Sequence, residues 1–302
     1  MSSIGDAAGA DQGEEPAPYG SGAAAAPAGS GAAAAAEVRR VRTHHLRLWK
    51  QQGRRWPMLT AYDQNTAAIF DEAQVPVLLV GDSASNNVFG HATSLPVTVD
   101  QLLSLTQAVT RSVRRALVVS DLPFGSYQGS PRQAFRTAVR FMKEGGAHAV
   151  KLEGGLPMAR HVRLLTDAGI PVMAHIGFTP QSEHSLGGYR VQGRGEAAAR
   201  LVSEAHALAD AGAFAVVLEM VPGTVAAQVT SELSIPTIGI GAGAACDAQV
   251  LVWTDMAGFG NHRLGRFVKQ YADLRGVLLD ATRRFAADVE AGEFPAAEHT
   301  FD

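Results

Sequence analysis

The chain has 302 residues, of which 46% are hydrophobic and 18% are charged, a composition typical of a globular enzyme with a large core. Its 26 basic and 29 acidic residues leave a formal net charge of −3, so no strong positive field indicates a nucleic acid or a membrane as partner. The single cysteine, Cys246, excludes an internal disulfide and a multi-cysteine zinc site, and it fits a cytoplasmic location.

The first 36 residues are Ala, Gly and Pro with almost no large apolar side chain. Such a segment cannot bury enough surface to offset its ordering entropy, so residues 1–36 are predicted to be a disordered extension. Asp6 and Asp11 stand where a signal peptide would be basic, and no apolar stretch is long enough to span a bilayer. Residues 37–302 are predicted to form one catalytic domain.

Eight short apolar runs alternate with helix-like stretches in this domain. The runs are residues 56–61, 75–80, 116–120, 147–152, 170–175, 213–218, 235–240 and 250–254. Continuous apolar runs are typical of parallel strands buried on both faces. Capping signals lie between them, such as Thr98 with Gln101 and Ser130-Pro131 with Gln133. The pattern predicts a single-domain α/β fold, a (β/α)8 TIM barrel, with a doubly wound open sheet as the alternative.

Polar or ionisable residues end most of these apolar runs. They are Asp63, Asp82, Ser83, Asp121, Lys151, Glu153, His175, Glu219 and Asp255. An aspartate after a strand can simply cap the next helix, and a lone histidine is often structural. In a barrel, however, the carboxyl ends of all strands meet at one mouth, where such enzymes place their chemistry. The set as a whole therefore predicts an active site.

Three of these carboxylates, Asp82, Asp121 and Glu153, form an oxygen-rich set that suits Mg²⁺. A hard cation there would act as a Lewis acid on a chelating substrate and stabilise an enolate. Glu219 would then be available as the base.

The glycines of 239–243 follow the seventh run and allow either a phosphate site or close packing. Cys246 has no histidine beside it and is predicted to be unreactive. Two long polar segments, 82–96 and 176–195, are predicted to be lids or walls for a bulky second substrate.

Many motifs together resemble one family, the ketopantoate hydroxymethyltransferases. They are MLTAYDQ, LLVGDSASNNVFGHATSLPVT, SDLPFGSY, AHAVKLEGG, VMAHIGFTPQS, GGYRVQGRG, VVLEMVP, IPTIGIGAG and EHTF. The resemblance runs in order from about Val41 to Phe301.

This resemblance implies a (β/α)8 barrel that forms a homo-oligomer, often a decamer. It also implies transfer of a hydroxymethyl group from 5,10-methylenetetrahydrofolate to 3-methyl-2-oxobutanoate. The product, 2-dehydropantoate, leads to pantothenate and coenzyme A.

The resemblance also implies roles for the residues that match its motifs. Asp82 and Asp121 would bind Mg²⁺, and Glu153 would line the same metal site, directly or through water. Ser83 and Lys151 would contact the oxo acid together with the two aspartates, and His175 would lie near it. Glu219 would accept the proton. Outside these positions the chain departs from the usual pattern at Ser120, Glu183-His184, Ala244-Ala245 and Ala248.

Three alternatives use the same residues. The first is a Mg-dependent lyase or mutase of the isocitrate lyase and phosphoenolpyruvate mutase type. The second is an aldolase that forms a Schiff base through Lys151, and the third is an inactive barrel kept as a scaffold.

Overall fold

Eight parallel strands close into a barrel in chain order in the computed structural model, which describes residues 39–300. The strands are β1 Trp56–Thr60, β2 Val77–Val80, β3 Leu117–Asp121, β4 Ala149–Glu153, β5 Val172–Gly177, β6 Ala215–Glu219, β7 Thr237–Ile240 and β8 Ala248–Leu251. The predicted (β/α)8 barrel is confirmed, and the open sheet is wrong because β1 pairs with β8. The predicted disordered segment, 1–36, lies outside the described residues.

Helices follow the strands and surround the barrel. They are α1 Thr43–Gln51, α2 Gln64–Glu72, α3 Ala84–Asn87, α4 Val99–Ser112, α5 Pro131–Lys143, α6 Ala159–Asp167, α7 Glu183–Leu186, α8 Ala197–Asp210, α9 Gly223–Glu232, α10 Trp253–Met256 and α11 Leu274–Ala291, with 3-10 turns at Leu156–Met158, Pro180–Ser182 and Ala297–His299. Within residues 39–300, none of these helices combines the length and apolar character that a membrane span requires.

Two apolar cores hold the barrel together. Along β2, Val77 and Leu79 belong to the inner core, whereas Leu78 and Val80 pack outward against the helices. This alternation follows from the two-residue period of a strand. Helix α1 contributes Leu46 and other side chains to the inner core. Both faces of the sheet are thus covered, which explains why the strands read as continuous apolar runs.

The two predicted capping boxes are confirmed in full at the start of α4 and in part at the start of α5. The Thr98 hydroxyl accepts from the Gln101 N–H at 3.2 Å, and the Gln101 side chain accepts from the Thr98 N–H at 2.9 Å. Ser130 accepts from the Gln133 N–H at 3.1 Å, but the Gln133 side chain accepts from Gly129 instead of Ser130. The second capping box is therefore half formed.

The predicted last strand was placed wrongly. β8 ends at Leu251, whereas the apolar run had indicated residues 250–254. Trp253 opens α10, where its N–H donates to the Thr60 hydroxyl at 3.0 Å and its ring packs against Phe70. Because Trp253 is buried, the apolar pattern continues past the end of the strand. Asp255 consequently lies in a helix.

Candidate active site

Strand periodicity places the ionisable side chains inside the barrel. Ala149 on β4 belongs to the inner core, so Lys151 and Glu153, two and four residues later, point the same way. The same parity applies to Asp121 on β3, His175 on β5 and Glu219 on β6, each of which follows inner-core residues of its own strand. The ends of four neighbouring strands thus direct five ionisable groups to one place.

These groups line a cavity of about 1040 Å³ at the carboxyl ends of the strands. All seven predicted site residues line it: Asp82, Ser83, Asp121, Lys151, Glu153, His175 and Glu219. Asp63 does not belong to it, because its carboxylate caps α2 by accepting from the Asn65 and Thr66 N–H groups. Asp255 lies at the rim, 2.9 Å from the ring of His262.

The ionisable side chains form a continuous chain of contacts. Lys151 Nζ lies 2.9 Å from Asp121 Oδ1 and 3.1 Å from His175 Nδ1. His175 Nδ1 lies 3.4 Å from Glu153 Oε1, and its Nε2 lies 3.2 Å from Glu219 Oε2. Protons and charge at one end of the cavity are therefore coupled to those at the other.

Carboxylates hold the two basic side chains of this contact network, Lys151 and His175, in their charged forms. Burial by itself disfavours the Lys151 ammonium, but Asp121 and Glu153 raise its pKa above the usual value. Burial and the nearby Lys151 likewise oppose a charged imidazole, yet Glu153 and Glu219 raise the pKa of His175 to about 9. Both side chains therefore offer positive charge to an anionic substrate.

The carboxylates Asp82 and Asp121 lie side by side. The Asp82 N–H donates to Asp121 Oδ2 at 2.9 Å. Burial raises the pKa of both carboxyl groups; Asp121 and Glu153 raise that of Asp82 further, and Glu153 raises that of Asp121 further. This clustering of negative charge in a buried site is of the kind that a bound cation relieves.

The donor set fits a hard cation. The buried atoms Asp121 Oδ1 and Glu153 Oε1 lack a hydrogen bond of good geometry. In the part of the chain that the structure describes, no three Asp, Glu, His or Cys side chains are placed to hold a metal together. Mg²⁺ is usually bound by one or two carboxylates, with water and substrate as its remaining ligands. Asp82 and Asp121 meet that requirement.

Two residues of the site were missed by sequence reasoning. Gln181 donates through Nε2 to Asp82 Oδ2 at 2.8 Å, and its N–H donates to Glu153 Oε2 at 3.0 Å. Tyr127, fully buried, donates its hydroxyl proton to Gln181 Oε1 at 2.7 Å. Both lie in stretches that carry the family resemblance, but no local pattern indicates which strand end such loop residues contact.

The backbone around Glu219 is closely packed. Gly177 on β5 has a φ of +93°, and a Cβ there would lie 2.3 Å from the Glu219 carbonyl oxygen. Met220, directly after Glu219, adopts a φ of +47°, which is strained for a residue with a side chain. Gly177 pairs with Glu219 in the register of β5 and β6, and His175 on β5 lies 3.2 Å from the Glu219 carboxylate.

The glycine-rich 239–243 segment shows close packing. A Cβ on Gly239 would lie 3.0 Å from Cys246 Sγ, so a larger residue would displace its neighbours. Cys246 is buried, and burial raises the pKa of its thiol. Both observations agree with the packing interpretation, and the phosphate interpretation stays a prediction.

A closed (β/α)8 barrel with its charged side chains at the strand ends defines a barrel enzyme. A profile described as ketopantoate hydroxymethyltransferase matches residues 40–297. The chain is 70% identical over 288 residues to the 3-methyl-2-oxobutanoate hydroxymethyltransferase of a Nocardioides species, covering 95% of this chain and 97% of that one. It is 59% identical over 262 residues to the Mycobacterium tuberculosis protein of the same name, covering 87% and 93%. The chain therefore belongs to the ketopantoate hydroxymethyltransferase family and is a hydroxymethyl-transferring enzyme.

Solved structures with the same barrel are more distant. A phosphonopyruvate hydrolase complexed with oxalate and Mg²⁺ has a TM-score of 0.55 at 12% identity, covering 85% of this chain and 92% of that one. A 2,3-dimethylmalate lyase has a TM-score of 0.53 at 16% identity, covering 86% and 91%. Similarity at this level shows the fold alone. Family membership selects the hydroxymethyltransferase over the alternative lyase or mutase.

Proposed function

We propose that this enzyme transfers a hydroxymethyl group from 5,10-methylenetetrahydrofolate to 3-methyl-2-oxobutanoate in the cytoplasm, giving 2-dehydropantoate for pantothenate synthesis. The observation that carries the proposal is the contact chain from Asp121 through Lys151 and His175 to Glu219 within one cavity. It combines an anion-binding end with a carboxylate base, which carbon–carbon bond formation at a carbon next to a carbonyl requires.

The family works with a divalent metal ion, and we assign its site here to Asp82 and Asp121, with Glu153 beside them. Mg²⁺ is the ion that this all-oxygen set suits best. When bound, the ion would supply Lewis acidity that makes the keto group of the substrate easier to enolise. Four carboxylates, those of Asp82, Asp121, Glu153 and Glu219, share the cavity with two basic groups, Lys151 and His175, and this excess of acidic groups supports a divalent cation as their partner.

Lys151 and Ser83 bind the oxo acid in this proposal. The ammonium of Lys151 places a fixed positive charge where the keto oxygen becomes negative, and such preplaced charge is a major source of catalysis. Ser83 lies 2.8 Å from the Tyr62 hydroxyl, a contact that orients its own hydroxyl at the cavity wall. A Schiff base at Lys151 would need a neutral amine, and the raised pKa of Lys151 disfavours it.

Glu219 removes the proton from C3 of the oxo acid. The C3–H bond breaks, the proton moves to the Glu219 carboxylate, and the electron pair enters the enolate that Lys151 stabilises. Water adds to the one-carbon unit of the folate, both of its C–N bonds break, and tetrahydrofolate leaves a formaldehyde carbon behind. The C3 carbon attacks this carbon, and the resulting alkoxide takes up the proton that Glu219 removed. His175, 3.2 Å from Glu219, holds this carboxylate in place as its charge changes.

The cavity also has features that suit a large anionic co-substrate. Its volume of about 1040 Å³ exceeds what a five-carbon oxo acid needs. Arg263 and Arg266 line its outer part, where cations can attract the carboxylates of a folate tail. Tyr189, which is exposed and packs on Phe178, offers an aromatic surface. We assign the folate to the part of the cavity that these three residues line.

Turnover with defined substrates tests the proposed function. We expect 2-dehydropantoate to form only when 3-methyl-2-oxobutanoate, 5,10-methylenetetrahydrofolate and a divalent ion are all present, since each supplies a part that no side chain replaces. Treatment with EDTA should abolish the product, and added Mg²⁺ should restore it, as measured by NMR. Full turnover after exhaustive chelation would contradict the metal assignment, and turnover without folate would contradict the co-substrate.

We further propose that the enzyme is a homo-oligomer, in agreement with the decamer that the resemblance implies. The support is α11, whose apolar side chains are largely exposed, including Val277 at 66% and Phe285 at 57%. A contiguous apolar face of this kind requires cover in water. Light scattering should give a mass about ten times the 31.7 kDa of one chain, and a monomer at micromolar concentration would contradict this.

A further inference from the structure

Gln181, in the turn after β5, connects the ends of several strands. Its side chain is buried, and Nε2 donates to Asp82 Oδ2 at 2.8 Å and to the Leu122 carbonyl at 3.0 Å. Its main-chain N–H donates to Glu153 Oε2 at 3.0 Å. One residue from the β5 loop therefore contacts a carboxylate that follows β2 and another that ends β4.

Its neighbours fix the orientation of the Gln181 amide. The Tyr127 hydroxyl accepts from the Glu153 N–H at 3.0 Å, and its proton points to Gln181 Oε1, which at 2.7 Å is closer than the alternative acceptor, the Glu153 carbonyl at 3.1 Å. Gln128 Nε2 also donates to Oε1, at 2.8 Å. A flipped amide would bring Oε1 against two acceptors and the NH₂ group against two donors. The donor side must therefore face Asp82.

The Gln181 amide donates to the Asp82 carboxylate, which has few other hydrogen-bond partners. Within residues 39–300, the hydrogen bond that the Asp82 side chain accepts comes from Gln181. Asp82 is buried, with Asp121 and Glu153 as like-charged neighbours. A buried carboxylate in such surroundings depends on a hydrogen-bond donor to keep one orientation.

We propose that Gln181 is a positioning residue for the metal site. It holds the Asp82 carboxylate in the orientation that binds the divalent ion, and it links Asp82 to Glu153 by hydrogen-bonding to both carboxylates. The proposal rests on the metal site assigned above. Partners of this kind orient metal ligands, and losing one typically lowers metal affinity about 10- to 100-fold.

The test uses Gln181→Met, which keeps the length of the side chain and removes its donors and acceptors. We expect the affinity for Mn²⁺, measured by electron paramagnetic resonance without substrates, to fall about 10- to 100-fold. The divalent-ion concentration for half-maximal turnover should rise in parallel. Tyr127→Phe removes a group that orients the amide, together with the acceptor of the Glu153 N–H, leaves both carboxylate side chains in place, and should weaken Mn²⁺ binding in the same direction. If Gln181→Met does not fold, the Mn²⁺ affinity of Tyr127→Phe tests the positioning role instead.

Gln133→Met is the matched control, because the Gln133 side chain also stabilises a loop, accepting from Gly129 and donating to Gly125, but makes no hydrogen bond to Asp82, Asp121 or Glu153. It should leave Mn²⁺ affinity unchanged. Folded Gln181→Met and Tyr127→Phe enzymes that bind Mn²⁺ as tightly as the wild type would overturn the positioning role while leaving the proposed function intact. A wild-type enzyme that binds no Mn²⁺ would overturn the metal site, and the positioning role with it.

Discussion

Replacing Asp82 by alanine should reduce turnover by about 10³-fold or more. The substitution removes a proposed metal ligand, and the charge stabilisation that a metal supplies amounts to several kcal/mol, each 1.36 kcal/mol of which is tenfold in rate. Mn²⁺ binding should be lost together with turnover. The Asp82 main-chain N–H, which donates to Asp121, remains, so we expect the barrel to fold.

Asp63→Ala is the control for this prediction. Asp63 also directly follows a strand region, but it caps α2 through the Asn65 and Thr66 N–H groups. Its loss should lower the free energy of unfolding by about 1 kcal/mol and leave turnover near the wild-type value. Activity and metal affinity that survive Asp82→Ala would refute the assignment of Asp82.

Glu219→Gln should lower turnover by about 10²- to 10⁴-fold, the usual contribution of a general base. The amide keeps the shape of the carboxylate and can still accept from His175 Nε2, now 3.2 Å from Glu219. Binding of the oxo acid should therefore persist. Exchange of the C3 proton in deuterated water, followed by NMR with the oxo acid and Mg²⁺ alone, should stop because no base remains.

Glu232→Gln provides the matched control, since Glu232 also pairs with a histidine, His206, at 2.9 Å but lies on the protein surface outside the cavity. Its exchange rate should equal that of the wild type. C3 exchange that continues at the wild-type rate in Glu219→Gln would remove Glu219 from the role of base.

The position of Asp255 and the contacts of Gln181 mark where prediction from the sequence failed. The apolar run predicts a strand end before Asp255, but the run extends past β8 to the buried Trp253, so Asp255 lines the cavity from α10. Gln181 has no apolar periodicity or spacing signal, since its partners Asp82 and Glu153 are 99 and 28 residues away along the chain. Contacts at such separations are set by the closure of the barrel, and a local pattern carries no information about them.

Local sequence patterns predict the number and order of the strands, two of the helix starts and the chemical types of the groups at the strand ends, because these depend on continuous apolar runs and on short-range hydrogen bonds. Barrel closure places Asp82 and Asp121 in one cavity and leaves Asp63 as a helix cap, and no local pattern distinguishes these acids. Barrel closure also decided the electrostatics, because the charges of Lys151 and His175 depend on carboxylates from neighbouring strands. The physical reason is that burial and Coulomb interactions act through space, and distance in space is known only once the barrel has closed.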